Sequence, residues 1–187
     1  MNRPIPTAHL SLVADAAFAA YHWIFGIQSS SWWLLTLGTY YLILSIVRLV
    51  IVKSQKKGRF IARFTGLMLM ILSVPLVGTV ILSIIRDRGL QLHPIVMITI
   101  AAYAFGKISL ATVNIIKSRH SSEWAQITLQ HVSLADAFVS IFALQRSMLV
   151  SFEGMSAKDS IIMNMVVGSA VCIIVFGLGL HLWKNKR

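Results

Sequence analysis

The chain has 187 residues, 57% of them hydrophobic and only 12% charged, with a mean hydropathy of +0.77. A typical soluble domain carries about a quarter charged residues. So much apolar surface excludes both a soluble fold of this length and a disordered chain. Seventeen Lys and Arg against six Asp and Glu give a formal net charge of +11. In a soluble protein that excess would point to nucleic acid, whereas in a membrane protein it first reports sidedness.

The apolar residues fall in blocks of about 20, the length that crosses a bilayer as a helix. We therefore expect an all-α polytopic membrane protein forming one transmembrane domain over residues 1–187. Its six transmembrane helices are expected at about 8–27, 32–52, 62–85, 94–116, 125–149 and 160–183. The first span holds Asp15 and His22, and Ala17-Phe18-Ala19 loosely mimics a signal-peptidase site. The apolar run before it is too short and polar for a secretory signal. It reads as a membrane helix, with an interfacial helix as the alternative.

With the N-terminus inside, the cytoplasmic ends collect Arg3, Arg48, Lys53, Lys56, Lys57, Arg59, Arg63, Lys117, Arg119, Lys184, Lys186 and Arg187. The outer ends keep Arg86, Arg88, Arg146 and Lys158. Twelve against four places both termini in the cytoplasm. The excess charge is thereby explained without nucleic acid. Arg48, Arg63 and Arg146 lie near span ends, where long side chains snorkel to headgroups. Arg48 with Lys53, Lys56 and Lys57 is a candidate lipid head group site. Trp32, Trp33, Phe60, Trp124 and Trp183 stand at span boundaries, as headgroup-level aromatics do.

Two segments nearly repeat. His9-Leu-Ser11-Leu-Val-Ala14-Asp15-Ala16-Ala-Phe18 returns about 121 residues later as His131-Val-Ser133-Leu134-Ala135-Asp136-Ala137-Phe138. A weaker echo links Ile51-Val-Lys53-Ser54-Gln55 to Ile115-Ile-Lys117-Ser118-Arg119. The simplest account is three tandem helical hairpins about an axis along the membrane normal. Chance similarity in an apolar alphabet is the competing explanation. In the third span Pro75 is expected to kink the helix.

Three ionisable residues lie well inside spans: Asp15, Lys107 and Asp136. Each costs about 2.5–3.5 kcal/mol on insertion scales, so such groups face protein or water. At ~1.5 Å rise per residue they sit on the order of 10, 14 and 16 Å from the cytoplasmic boundary. Similar depth lets Lys107 bridge the two aspartates, leaving one negative charge to hold a proton or a cation. Helical spacing puts polar residues on the same faces. Ser11, Ala19, His22 and Gly26 align with Asp15; Thr99, Tyr103, Ala111, Asn114 and Ser118 with Lys107; Gln126, Gln130, Ser133 and Ser140 with Asp136. The expected ion or substrate pathway is Asp15, Lys107, Asp136, Tyr103, Asn114, Ser133 and Ser140. The competing possibility is a neutralised cluster that only joins helices.

No nucleophile elbow, phosphate-binding glycine loop, paired-His zinc motif or cysteine cluster is present. Cys172 is a single cysteine. We expect no enzymatic activity, no cofactor and no metal; His9 and His131 would share a metal only if spans one and five touched. Gly168-Ser169-Ala170 and Gly177-Leu178-Gly179 in span six suit close helix packing within the chain, or else a homo-oligomer face. The expected partners are the lipid bilayer and protons or cations. Trp32-Trp33, Tyr40-Tyr41-Leu-Ile-Leu-Ser-Ile-Val-Arg48 and Ala101-Ala102-Tyr103-Ala-Phe105 resemble a group of small six-span integral membrane proteins of Gram-positive bacteria. That resemblance implies a multi-pass protein of the bacterial cytoplasmic membrane and no particular activity. The functional expectation is a small transporter or channel, with a non-transporting subunit, assembly factor or lipid-binding scaffold as the alternative.

Overall fold

A computed structural model describes residues 6–53, 58–85, 94–118, 124–151 and 156–184. Its six helices are α1 (Pro6–Gln28), α2 (Trp32–Lys53), α3 (Gly58–Ile85), α4 (Pro94–Ser118), α5 (Trp124–Ser151) and α6 (Ala157–Lys184). α1 and α4 each open on a proline, whose missing N–H costs nothing in the first turn. α6 is capped by Ser156, whose Oγ accepts the Asp159 amide at 3.2 Å and donates to the Asp159 carboxylate at 2.8 Å. α3 continues through Pro75 in one helical run.

The turn between α1 and α2 takes only three serines. Ser31 N donates to Gly26 O at 2.9 Å and Ser30 N to Ile27 O at 3.2 Å, the paired bonds of a Schellman ending. Ser30 sits at φ 50°, the left-handed position that glycine normally fills.

Four helices are long and apolar enough to cross a membrane: α2, α3 over Phe60–Leu82, α5 over Gln126–Leu149 and α6 over Lys158–Lys184. α4 contributes a shorter apolar stretch, Met97–Val113. α1 falls outside that set, since the face it buries holds Ser11, Asp15 and His22. The molecule is therefore an all-helical, multi-pass type of membrane protein whose apolar helices face lipid.

The packing departs from three tandem hairpins. α1 packs on α2 and α5 on α6, as that scheme requires. Among the described residues, however, α3 packs chiefly on α6 and α4 on α5, and α3 and α4 share no such interface. The α3–α6 seam explains the choice. A Cβ on Gly66 would lie 2.7 Å from Gly179 O, and one on Gly179 would lie 2.8 Å from Gly66 O. Backbones this close leave room only for glycine. Gly168 meets Val80 and Phe142 at the far end of the same seam, so the two helices run antiparallel. Gly168 and Gly179 thus serve packing within the chain, and any homo-oligomer through α6 would need its opposite face, where Gly177 has nothing within 4 Å.

What remains is a matched pair of three-helix runs. α1 packs on α2 and α2 on α3; α4 packs on α5 and α5 on α6; α2 meets α5 and α3 meets α6 across the middle. α5 is central, with Val132, Ala135, Asp136 and Val139 all at 0% exposure. Tyr40, Tyr41, Leu44, Leu69, Leu72 and Val175 fill the same core. Lipid tails are as apolar as these side chains, so close packing and interhelical polar bonds hold such a bundle together rather than escape from water.

Candidate functional site

Along α1, Ser11, Asp15, Ala19 and His22 recur at helical spacing, and all four are buried. His22 satisfies itself locally, its Nδ1 donating to Phe18 O at 2.8 Å. Asp15 has no such option, because a carboxylate only accepts. Its donors come from other helices. Lys107 Nζ of α4 donates to Asp15 Oδ1, and the Tyr103 hydroxyl one turn away donates to the same oxygen at 3.1 Å. Arg48 Nε of α2 lies 2.6 Å from Asp15 Oδ2.

Asp136 of α5 completes the cluster. Its Oδ2 accepts from Lys107 Nζ at 2.5 Å and from Arg48 Nη2 at 2.7 Å. Exposures of 0% for both aspartates, 1% for Arg48 and 4% for Lys107 put all four groups out of reach of solvent. Four helices thus each contribute one charge to a network of alternating sign. Asp136 Oδ1 has no hydrogen-bond partner among the described residues, and neither has the buried Tyr40 hydroxyl.

Lys107 does bridge Asp15 and Asp136, as depth and spacing suggest. Arg48 is the residue sequence reasoning misplaced. Expected to snorkel to lipid headgroups, it instead lies inside the bundle and contacts both aspartates. The cause is helix geometry. Cα–Cβ bonds tilt toward the helix N-terminus, so an arginine near the C-terminal end of α2 is aimed back into the protein. Arg146, near the C-terminal end of α5, behaves alike: it is 7% exposed and lies over the Trp33 ring, 5.0 Å from the centroid. Arg63, near the start of α3, is aimed outward and is exposed. With Arg48 counted, two acids face two bases and the spare negative charge disappears.

The other expected site residues divide. Tyr103 belongs to the network, and Lys107 Nζ also sits 5.1 Å from its ring centroid. Ser133 is 3.5 Å from Arg48 Nη1, and Ser140 shares a 3.2 Å hydrogen bond with the Tyr41 hydroxyl. Asn114 lies on α4, with its side chain outside the described part of the structure. Lys53 is exposed at the end of α2, away from Arg48's partners, and Lys56 and Lys57 fall outside the described residues. His131 stacks its ring on that of His181 of α6, with centroids 5.4 Å apart.

Aromatic rings close one side of the network. Phe18 of α1 stacks on Tyr103 of α4 with centroids 3.6 Å apart and planes within 4°. Tyr41 of α2 stands edge-on to both, at 5.2 and 5.8 Å. α1 rests on α2 and α4 on α5, so this stack and the Asp15 bonds are what tie the two outer helices together. Chemically the site resembles a clasp. Two carboxylates are bridged by two cations, the planar Arg48 guanidinium and the compact Lys107 ammonium. Against protein-family models, curated proteins and solved structures, the chain gives no match.

Proposed function

We propose that this chain is a small membrane transporter or channel for a cation or proton, and that the buried Asp15–Arg48–Lys107–Asp136 network is its coupling site. The observation that carries it is the placement of Lys107. Its ammonium bridges both aspartates at the seam between α1 and α4, while Asp136 Oδ1 keeps a free acceptor. A cation or proton arriving at Asp136 competes with Lys107, and releasing Lys107 unties α4 from α1. Charged side chains buried at membrane depth ordinarily mark such pathways. The matched runs α1–α3 and α4–α6, antiparallel across α3 and α6, also suit two units rocking about a central site. The charge bias supports a topology with both termini in the cytoplasm, and the sequence resemblance alone suggests a bacterial cytoplasmic membrane.

The neutrality of the cluster favours a second reading. Two acids and two bases hold helices together with no charge left over, as a scaffold or membrane subunit needs. Cation and proton flux into liposomes separates the two. Lys107→Met and Asp136→Asn are each expected to abolish flux in the transporter, and the pair together, again neutral, to restore folding without restoring flux. Labelling gives a second measure. In a Cys172→Ser background, Ser140→Cys is expected to react with a water-soluble thiol reagent. A Ser140→Cys variant that stays unlabelled, together with unchanged flux in both single variants, would leave the scaffold.

A further inference from the structure

A second polar cluster lies about 15 Å along α5 from Asp136, ten residues on at ~1.5 Å each. Gln145, Arg146 and Phe142 are neighbours on α5 at i, i+3 and i+4 spacing. Phe142 touches the position of Gly168 on α6, and Asn164 stands one turn before Gly168 on that same face. α5 and α6 pack together, so residues after Phe142 on one helix stand level with residues before Gly168 on the other. This brings Asn164, 3% exposed, level with Gln145 and Arg146. From α2, Trp33 places its ring under the Arg146 guanidinium.

Four buried polar atoms at this level are unsatisfied. Both amide atoms of Gln145, Asn164 Oδ1 and Trp33 Nε1 are buried and have no hydrogen-bond partner among the described residues. A buried amide without a partner costs about 1–3 kcal/mol, and several at one level are seldom kept for packing alone. Two of the four atoms donate, Gln145 Nε2 and Trp33 Nε1. Two accept, Gln145 Oε1 and Asn164 Oδ1. Arg146 adds a cation whose planar fork suits a carboxylate.

The geometry points to a binding site at this end of the bundle for a small solute that carries a carboxylate and an adjoining donor group, an amino or hydroxy acid. The carboxylate meets Arg146, Gln145 Nε2 and Trp33 Nε1, and the ammonium or hydroxyl meets Gln145 Oε1 and Asn164 Oδ1. It goes beyond the proposed flux through the ion-pair network and is measured by binding alone, so either can fail without the other.

The test uses the full chain in nanodiscs, titrated with glycine, glycolate, acetate and methylammonium, read by calorimetry and by the rise in Tm that a bound ligand produces. Saturable binding of glycine or glycolate is expected, with acetate and methylammonium at least about tenfold weaker, since each leaves half of the orphaned groups unpaired. Gln145→Leu and Asn164→Leu are each expected to weaken binding about tenfold or more at unchanged fold. No saturation by any of the four solutes overturns the assignment. So does saturation that neither substitution alters, or equal binding of acetate and glycine. If Gln145→Leu only raises Tm and binding is absent in both proteins, the groups are merely hydrated and the site is lost.

Discussion

Replacing Arg48 by methionine tests whether this arginine holds the bundle together or merely reports topology. Its guanidinium faces Asp15 at 2.6 Å and Asp136 at 2.7 Å, with 1% of the side chain exposed. Unit charges about 4 Å apart attract by about 4 kcal/mol at an effective dielectric of 20. Two such pairs give a gross attraction of about 8 kcal/mol. Burying the guanidinium costs several kcal/mol, and removing it also relieves its repulsion from Lys107, so the net loss settles at about 3–5 kcal/mol, the range for breaking a buried pair. Lys53→Met, at the exposed end of the same helix, is expected to stay within about 0.5 kcal/mol of the parent. Arg48→Met with Asp136→Asn leaves Lys107 facing Asp15 alone, again neutral, and is expected to recover about 1–3 kcal/mol relative to the sum of the single effects. Reversible unfolding in mixed lipid–detergent micelles on adding dodecyl sulfate, followed by circular dichroism, measures every one of these variants. If Arg48→Met is no worse than Lys53→Met, or the double variant equals the sum of the singles, the network is not what joins these helices.

The remaining predictions concern the frame around the site. Gly66→Ala pushes a methyl group into the backbone of Gly179 and Trp183 and is expected to cost about 1–3 kcal/mol by overpacking. Gly177→Ala meets nothing within 4 Å and is expected to be neutral or to stabilise by up to about 1 kcal/mol; the same unfolding assay compares the pair. Ser30→Gly relieves the left-handed strain at φ 50° and is expected to stabilise by about 1 kcal/mol, read as a raised Tm in detergent. Tyr103→Phe removes the 3.1 Å bond to Asp15 while keeping the Phe18 stack. It is expected to cost about 0.5–1.5 kcal/mol, and an intact fold with altered cation flux would tie Tyr103 to transport rather than to packing.

Several features were legible in the sequence because they depend on one helix at a time. Block length and hydropathy set the six helices, and their ends fall within a few residues of the expected spans. The α1 stripe of Ser11, Asp15, Ala19 and His22 follows from the 3.6-residue period, and that whole face is buried. The cost of charge in an apolar span singles out Asp15, Lys107 and Asp136 without reference to any contact.

Pairing between helices was not legible. The echo between spans one and five suggested hairpins in tandem, yet α3 goes to α6 because Gly66 and Gly179 allow backbone contact, and α4 goes to α5, where Lys107 meets Asp136. A helix exposes glycines and charges on its surface, and only the neighbour that complements them decides which matter. Arg48 shows the same limit at one residue. Counting residues from a span end placed it at the headgroups, while the tilt of its side chain and two waiting carboxylates drew it inside. The amino-acid sequence by itself determined a multi-helix membrane protein with costly buried charge. The tertiary structure decided that the charge cancels, because only packing brings Arg48 within reach of both Asp15 and Asp136.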